Sequence, residues 1–196
     1  AIWSSCSPDF GKQAIIDRFK QIKPKVLIIT DYYFYNKKKV DTTLIIPDIL
    51  KNIPSINCVI VIPYEKKRAK LNNNNFSYTE WYEILKSNFL YEKFIKFPFN
   101  HPLYILYSSG TTGIPKCIVH GAGGSLIQHK KEHQIHCNIN KNDKIFYFTT
   151  CGWMMWNWLV SSLASEASIV LYDGSPFIPE KKFLFEIAET EKINFF

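Results

Sequence analysis

The stretch from Tyr107 to Lys116 reads Tyr-Ser-Ser-Gly-Thr-Thr-Gly-Ile-Pro-Lys and holds the densest chemistry in the chain. Ser108, Ser109, Thr111 and Thr112 offer hydroxyl donors. Gly110 and Gly113 let backbone N–H groups turn toward an anion, and Lys116 adds a point charge. These residue types suit a phosphate. The apolar run from Pro102 to Tyr107 predicts a buried strand feeding the loop. The spacing excludes a Walker A loop, because Pro115 precedes Lys116 and Cys117 follows it. An ordinary polar connection is the plain alternative, yet such loops are seldom this rich in phosphate-binding types.

Two other clusters invite chemistry. Gly152 to Trp158 carries Trp153, Trp156 and Trp158 with Met154 and Met155. By type alone these are helix core. Following a strand end, where open α/β sheets bind ligands, they equally suit a pocket wall. His129, His133 and His136 recur at helical spacing ahead of Cys137, as metal ligands would. Lys130 and Lys131 intervene and no acidic base lies within the pair, so a solvated basic helix face is expected and no metal site. His120 is either a packed histidine or a group near the loop's ligand.

The elements that must position these residues follow from periodicity. Ser7-Pro-Asp predicts a helix start, with Phe10, Ile15, Ile16, Phe19 and Ile22 on one face. Strands are expected at Lys25–Thr30 and Asn57–Ile62 around a helix from Thr42 to Lys51, interrupted at Pro47. This β-α-β order implies a mostly parallel, covered sheet. Lys66 to Asn75 reads as a disordered surface loop and Phe76 to Leu90 as a helix with Trp81, Leu85 and Phe89 in line. Beyond the loop, helices are expected over about 124–137, 153–165 and 179–191. Strands are expected at Lys144–Thr149 and Ser168–Tyr172, and the start of another at the C-terminus.

The 196 residues are 46% apolar, enough for a buried core. The net charge of +7 comes from lysines scattered along the chain, with Arg18 and Arg68 as the arginines. Nucleic-acid surfaces favour arginine's fork, so no nucleic acid is expected as a partner. Cys6, Cys58, Cys117, Cys137 and Cys151 form no Cys-x-x-Cys pair and fit a reducing compartment. No apolar run reaches the roughly 20 residues of a membrane span.

The loop resembles the phosphate-binding signature of the AMP-forming acyl-CoA synthetases, the adenylate-forming superfamily. The flanks Phe99–Tyr107, Cys117–Gly124, Phe146–Trp158 and Ile169–Phe177, with Trp3–Gly11, are similar to the acetoacetate–CoA ligase (acetoacetyl-CoA synthetase) branch more than to acetyl or propionyl enzymes. The loop is specific to the superfamily, and Thr149–Trp158 to the acetoacetate branch. The likeness weakens between about Lys37 and Lys96.

The resemblance implies an α/β fold of layered, mostly parallel sheets with flanking helices. Residues 1–196 would be part of the large N-terminal domain, with its phosphate-binding loop at 107–117. The rest of that domain and the small C-terminal domain would lie beyond Phe196, so the fragment alone would be inactive. The implied reaction activates acetoacetate with ATP to acetoacetyl-AMP, then transfers the acyl group to CoA, with Mg2+ on the phosphates, in the cytosol and in service of lipid synthesis. Ser108, Ser109, Gly110, Thr111, Thr112, Gly113 and Lys116 would hold the phosphates, with Lys116 catalytic. Trp153, Met154 and Met155 would line the acyl pocket. Another short-chain acyl-CoA synthetase and a non-catalytic nucleotide-binding remnant remain as alternatives. Two positions depart from the family. Cys117 stands where many members have glycine. Glu166 stands in a turn where glycine is expected, and at positive φ it would cost roughly 1 kcal/mol.

Overall fold

The computed structural model describes residues 1–35, 38–65, 69, 71, 76–87, 93–108 and 113–196. The expected disorder over 66–75 lies outside the described residues apart from Ala69 and Leu71. In chain order the elements are β1 (Trp3–Ser4), α1 (Lys12–Ile22), β2 (Val26–Thr30), β3 (Tyr32–Tyr35), β4 (Lys38–Asp41), α2 (Ile46–Asn52), β5 (Cys58–Ile62), β6 (Thr79–Glu80) and α3 (Trp81–Leu85). They continue with β7 (Pro102–Ser108), β8 (Lys116–Gly121), α4 (Ala122–Lys131), β9 (Lys144–Ile145), α5 (Met154–Ser161), β10 (Ser168–Ile169) and α6 (Phe183–Glu191). The chain divides into two units.

The first unit comprises Pro8–Lys96 and Tyr107–Cys117. β2, β5 and β6 form a parallel sheet, with Val26 opposite Cys58 and Thr30 opposite Ile62. This is the β-α-β arrangement the periodicity predicts. Val59 and Val61 alternate into the core, where Ile15, Ile16 and Phe19 of α1 and Ile46 and Ile49 of α2 are buried. Each such side chain contributes roughly 1.5–3 kcal/mol. α1 ends at Lys23 in the left-handed conformation, its N–H on the Phe19 carbonyl at 3.1 Å, with Pro24 preventing continuation.

Three expectations in this unit are corrected. α1 starts at Lys12, not at Ser7-Pro-Asp, and its preceding residue Gly11 makes no side-chain cap. Pro47 opens α2 in its first turn, where its missing N–H costs nothing, after a 3-10 turn at Thr43–Ile45. The helix expected over 76–90 is the short α3, on which Leu85 is 61% exposed; 88–90 lie outside the described residues. The antiparallel pair β3–β4 was not anticipated. It follows the buried Asp31, whose Oδ1 accepts the N–H of Tyr32 at 3.0 Å and of Tyr64 at 2.9 Å.

The second unit comprises Ala1–Ser7, Phe97–Leu106 and Ile118–Phe196. β1 pairs in parallel with β7, which neighbours β8 in a three-stranded sheet. β9 pairs in parallel with β10, and Phe195 adds a parallel bridge to Ile145, as the expected last strand start. The strands expected at 144–149 and 168–172 are two residues each. α4 runs into a π-helical turn at Glu132–His136, and α5 into a 3-10 turn at Ser162–Ser165, which matches the expected helical spans. α6 starts at Phe183, four residues later than expected. Ile139, Ile145, Trp158, Leu159 and Ala167 form the core, with Met155, Ile169 and Phe195 packed on it. Glu166 beside that core has φ 60° and ψ 20°, the left-handed turn the sequence implied.

Candidate functional site

β7 carries the chain to Ser108, and β8 resumes at Lys116. Ser109, Gly110, Thr111 and Thr112 lie outside the described residues. Ser108 is half-buried at the strand end, and Lys116 is exposed with no carboxylate partner among the described residues. Gly113 has φ 100°, which side chains rarely adopt, so glycine is required there by backbone shape.

Around the loop, α1 supplies partners that the sequence did not flag. The Gln21 amide donates to the Pro115 carbonyl at 2.9 Å, and its oxygen accepts from the Cys117 thiol at 3.5 Å. Gln21 therefore holds the chain on both sides of Lys116. A second bond from Gln21 to the Asp17 carbonyl at 2.7 Å keeps its side chain along the helix. Burial pushes the Cys117 thiol pKa up, so this cysteine stays protonated and donates. The Arg18 guanidinium lies 4.6 Å from the Phe10 ring centroid and 5.8 Å from that of Tyr107, the residue before Ser108. The ends of the loop thus carry a hydroxyl, a left-handed glycine and an ammonium on a fixed frame, which is the equipment for holding a polyanion.

In the second unit, Met154 and Met155 lie together in the first turn of α5. With Tyr147, Trp158, His129 and Glu132 they help line a cavity of about 430 Å³. Trp153 does not line it; this residue is 63% exposed and precedes the helix in extended conformation. Trp158 packs in the core at 7% exposure while lining the same cavity, and Trp156 lines a separate cavity of about 290 Å³ with Leu159 and Asp173.

The histidines correct the expected solvated face. His129 is 8% exposed and His133 fully buried, while His136 is exposed. The His129 Nδ1 and the Ser161 hydroxyl share a 2.8 Å hydrogen bond. The His133 ring packs 4.6 Å from Trp158, and neither of its nitrogens meets hydrogen-bond geometry. Burial lowers both pKa values, so both rings are neutral near pH 7. Among the described residues no group of three or more His, Cys, Asp or Glu could hold a metal ion. His120 is half-buried beside Tyr104, ring centroids 4.9 Å apart, with a pKa lowered by burial. No helix among the described residues is long and apolar enough to cross a membrane.

The sequence also passed over Ser5, which donates to the Cys151 carbonyl, and Gly152, which packs against the backbone of Cys6 and Ser7 before Trp153. The available signal was a glycine at a strand-to-helix turn, and its cause is a contact distant in sequence.

Against known proteins, the AMP-binding enzyme family matches residues 1–196. The acetoacetyl-coenzyme A synthetase of Rhizobium meliloti is 48% identical over 199 residues, covering all of this chain and 30% of that protein. The acetoacetyl-CoA synthetase of Danio rerio is 45% identical over 210 residues, with the same coverage. The solved acetoacetyl-CoA synthetase from Streptomyces lividans superposes at a TM-score of 0.90 with 39% identity, over all of this chain and 29% of that one. The chain therefore spans about 30% of the length of the curated relatives it matches. That solved structure shares the mixed α/β fold of parallel sheets with flanking helices described above. With every residue from 1 to 196 inside the match, the chain belongs to the AMP-binding enzyme family.

Proposed function

We propose that this chain is part of the large domain of an AMP-forming acetoacetate–CoA ligase. The observation that carries this is the sequence Ser108 to Lys116 between β7 and β8, in a chain that matches acetoacetyl-CoA synthetases along its whole length. In the first half-reaction an acetoacetate oxygen attacks the α-phosphorus of ATP, and the bond to pyrophosphate breaks. In the second, the CoA sulfur attacks the acyl carbon after losing its proton, and the bond to AMP breaks.

Ser108, Ser109, Gly110, Thr111, Thr112 and Gly113 would cradle the β- and γ-phosphates through hydroxyl and backbone donors. The Lys116 ammonium would neutralise charge as pyrophosphate departs. Gln21 supports that role by holding the Pro115 carbonyl and the Cys117 thiol. Mg2+ would arrive with the substrate phosphates, keeping several of its waters. When bound, it would offset the negative charge of the phosphates.

Met154 and Met155 would face the acyl group. Their unbranched side chains and the cavity of about 430 Å³ suit a β-keto acid longer than acetate. Trp153, exposed and outside this cavity, would take part from the pocket's edge. The remaining length of the relatives would supply the adenine, ribose and hinge functions. The five free cysteines support a reducing compartment, and we place the reaction in the cytosol.

The test is ATP–pyrophosphate exchange by the full-length protein with acetoacetate, acetate or propionate. Exchange strongest with acetoacetate supports the assignment. Preference for acetate or propionate moves it to another short-chain ligase. Absence of exchange with any acid refutes ligase activity in favour of a nucleotide-binding remnant.

A further inference from the structure

The N-terminal segment lies across the turn that launches α5. β1 is fixed to β7, Trp3 opposite Tyr104 and Ser4 opposite Ile105, and the Ser4 hydroxyl donates to the Ile105 carbonyl at 2.9 Å. The chain then passes over Cys151 and Gly152. Ser5, 8% exposed, donates its hydroxyl to the Cys151 carbonyl. The Cys151 thiol donates in turn to the Cys6 carbonyl at 3.7 Å. Ser7 is 4% exposed.

Between these bonds there is no room for a side chain at position 152. A Cβ on Gly152 would stand 2.7 Å from the Ser7 amide nitrogen and 3.2 Å from the Cys6 Cα. Both obstacles are backbone, which cannot swing aside as the end of a side chain can. Gly152 is not in the left-handed region, so the requirement is space and not φ.

The turn hands its position to α5. The Trp153 N–H donates to the Thr150 carbonyl at 3.1 Å, and Met154 and Met155 follow at once as the first helical residues. A displacement at Gly152 therefore moves both methionines.

We propose that Ser5–Ser7 is a template that sets the start of α5, with Ser5 and Gly152 as positioning residues that determine acid specificity through Met154 and Met155. This rests on Met154 and Met155 lining the acyl pocket, as put forward above. Neither Ser5 nor Gly152 need touch the substrate.

The experiment is exchange kinetics on the full-length protein with ATP and the acid varied separately. Gly152→Ala is expected to raise the KM for the preferred acid by about tenfold and leave the KM for ATP within about twofold. Ser5→Ala is expected to raise the acid KM by about threefold, and Ser5→Thr, which keeps the hydroxyl, to restore it. A merely structural role would not separate the two substrates or respond to the hydroxyl. An unchanged acid KM in Gly152→Ala and Ser5→Ala, or an ATP KM rising in step, would overturn the template. Should Gly152→Ala fail to fold, the Ser5→Ala and Ser5→Thr pair decides alone by the same criteria. The variants are scored on whichever acid the wild type prefers. A wild-type preference for propionate would therefore overturn the choice of acid and leave the template standing.

Discussion

Glu166 gives the sharpest stability test, because its φ of 60° and ψ of 20° put a side chain where glycine is favoured. Glu166→Gly relieves left-handed strain of roughly 1–2 kcal/mol and gives back roughly 0.4–1 kcal/mol through the freer unfolded chain. It also removes the 2.9 Å ion pair with Lys141, whose two side chains are 68% and 67% exposed. A pair so exposed contributes at most about 1 kcal/mol. Glu166→Ala removes the same pair and keeps the strain. The ion pair therefore cancels between the two variants, leaving about 0.8 kcal/mol in favour of glycine at the midpoints of those two ranges. The backbone bonds of residue 166, to Leu163 O at 3.1 Å and from Asn142 N at 3.3 Å, are available to both. Urea unfolding followed by tryptophan fluorescence reads the difference, since Trp158 shares its core with Ala167 beside the turn. At equal slope the glycine variant unfolds at higher urea. An alanine variant equally stable or more stable would refute the strain argument.

Lys116→Ala in the full-length protein should slow ATP–pyrophosphate exchange by about 100-fold or more; exchange at the wild-type rate would remove Lys116 from the phosphate site. Gln21→Ala should raise the KM for ATP by about threefold, with the acid KM unchanged, because it frees Pro115 and Cys117 beside Lys116; an unaltered ATP KM would show that the clasp is dispensable. Buried His129 and His133 titrate below the ordinary histidine value near 6.5, so the folded state binds fewer protons than the unfolded chain just beneath that pH. Their contribution to stability is complete above about pH 6.5 and is lost as pH falls toward their folded values. The urea midpoint should therefore be lower at pH 5.5 than at pH 7.5, and an equal or higher midpoint would contradict their burial as neutral rings.

The parts of the fold written in local periodicity were legible. The runs at Val26–Thr30 and Cys58–Ile62 became parallel neighbours, and the helical spacing of Ile15, Ile16 and Phe19 became the buried face of α1. Gly113 at φ 100° agrees with the backbone role given to it, while 109–112 lie outside the described residues. What sequence missed was set by contacts distant along the chain. Ser7 looked like a helix cap but is buried next to Gly152. His129 and His133, flanked by lysines, looked solvated, yet the packing of α4 against α5 buries them beside Ser161 and Trp158. Tyr32 to Asp41 shows no polar–apolar alternation, so the β3–β4 pair had no signature to read. Met154 and Met155 line one cavity, while Trp153 stands outside it.

The central claim is tested most directly by the products of a single reaction mixture of the full-length protein, acetoacetate, ATP and CoA. An AMP-forming acetoacetate–CoA ligase predicts AMP, pyrophosphate and acetoacetyl-CoA in equal amounts. ATP turnover to ADP and phosphate, or AMP release without acetoacetyl-CoA, would contradict it.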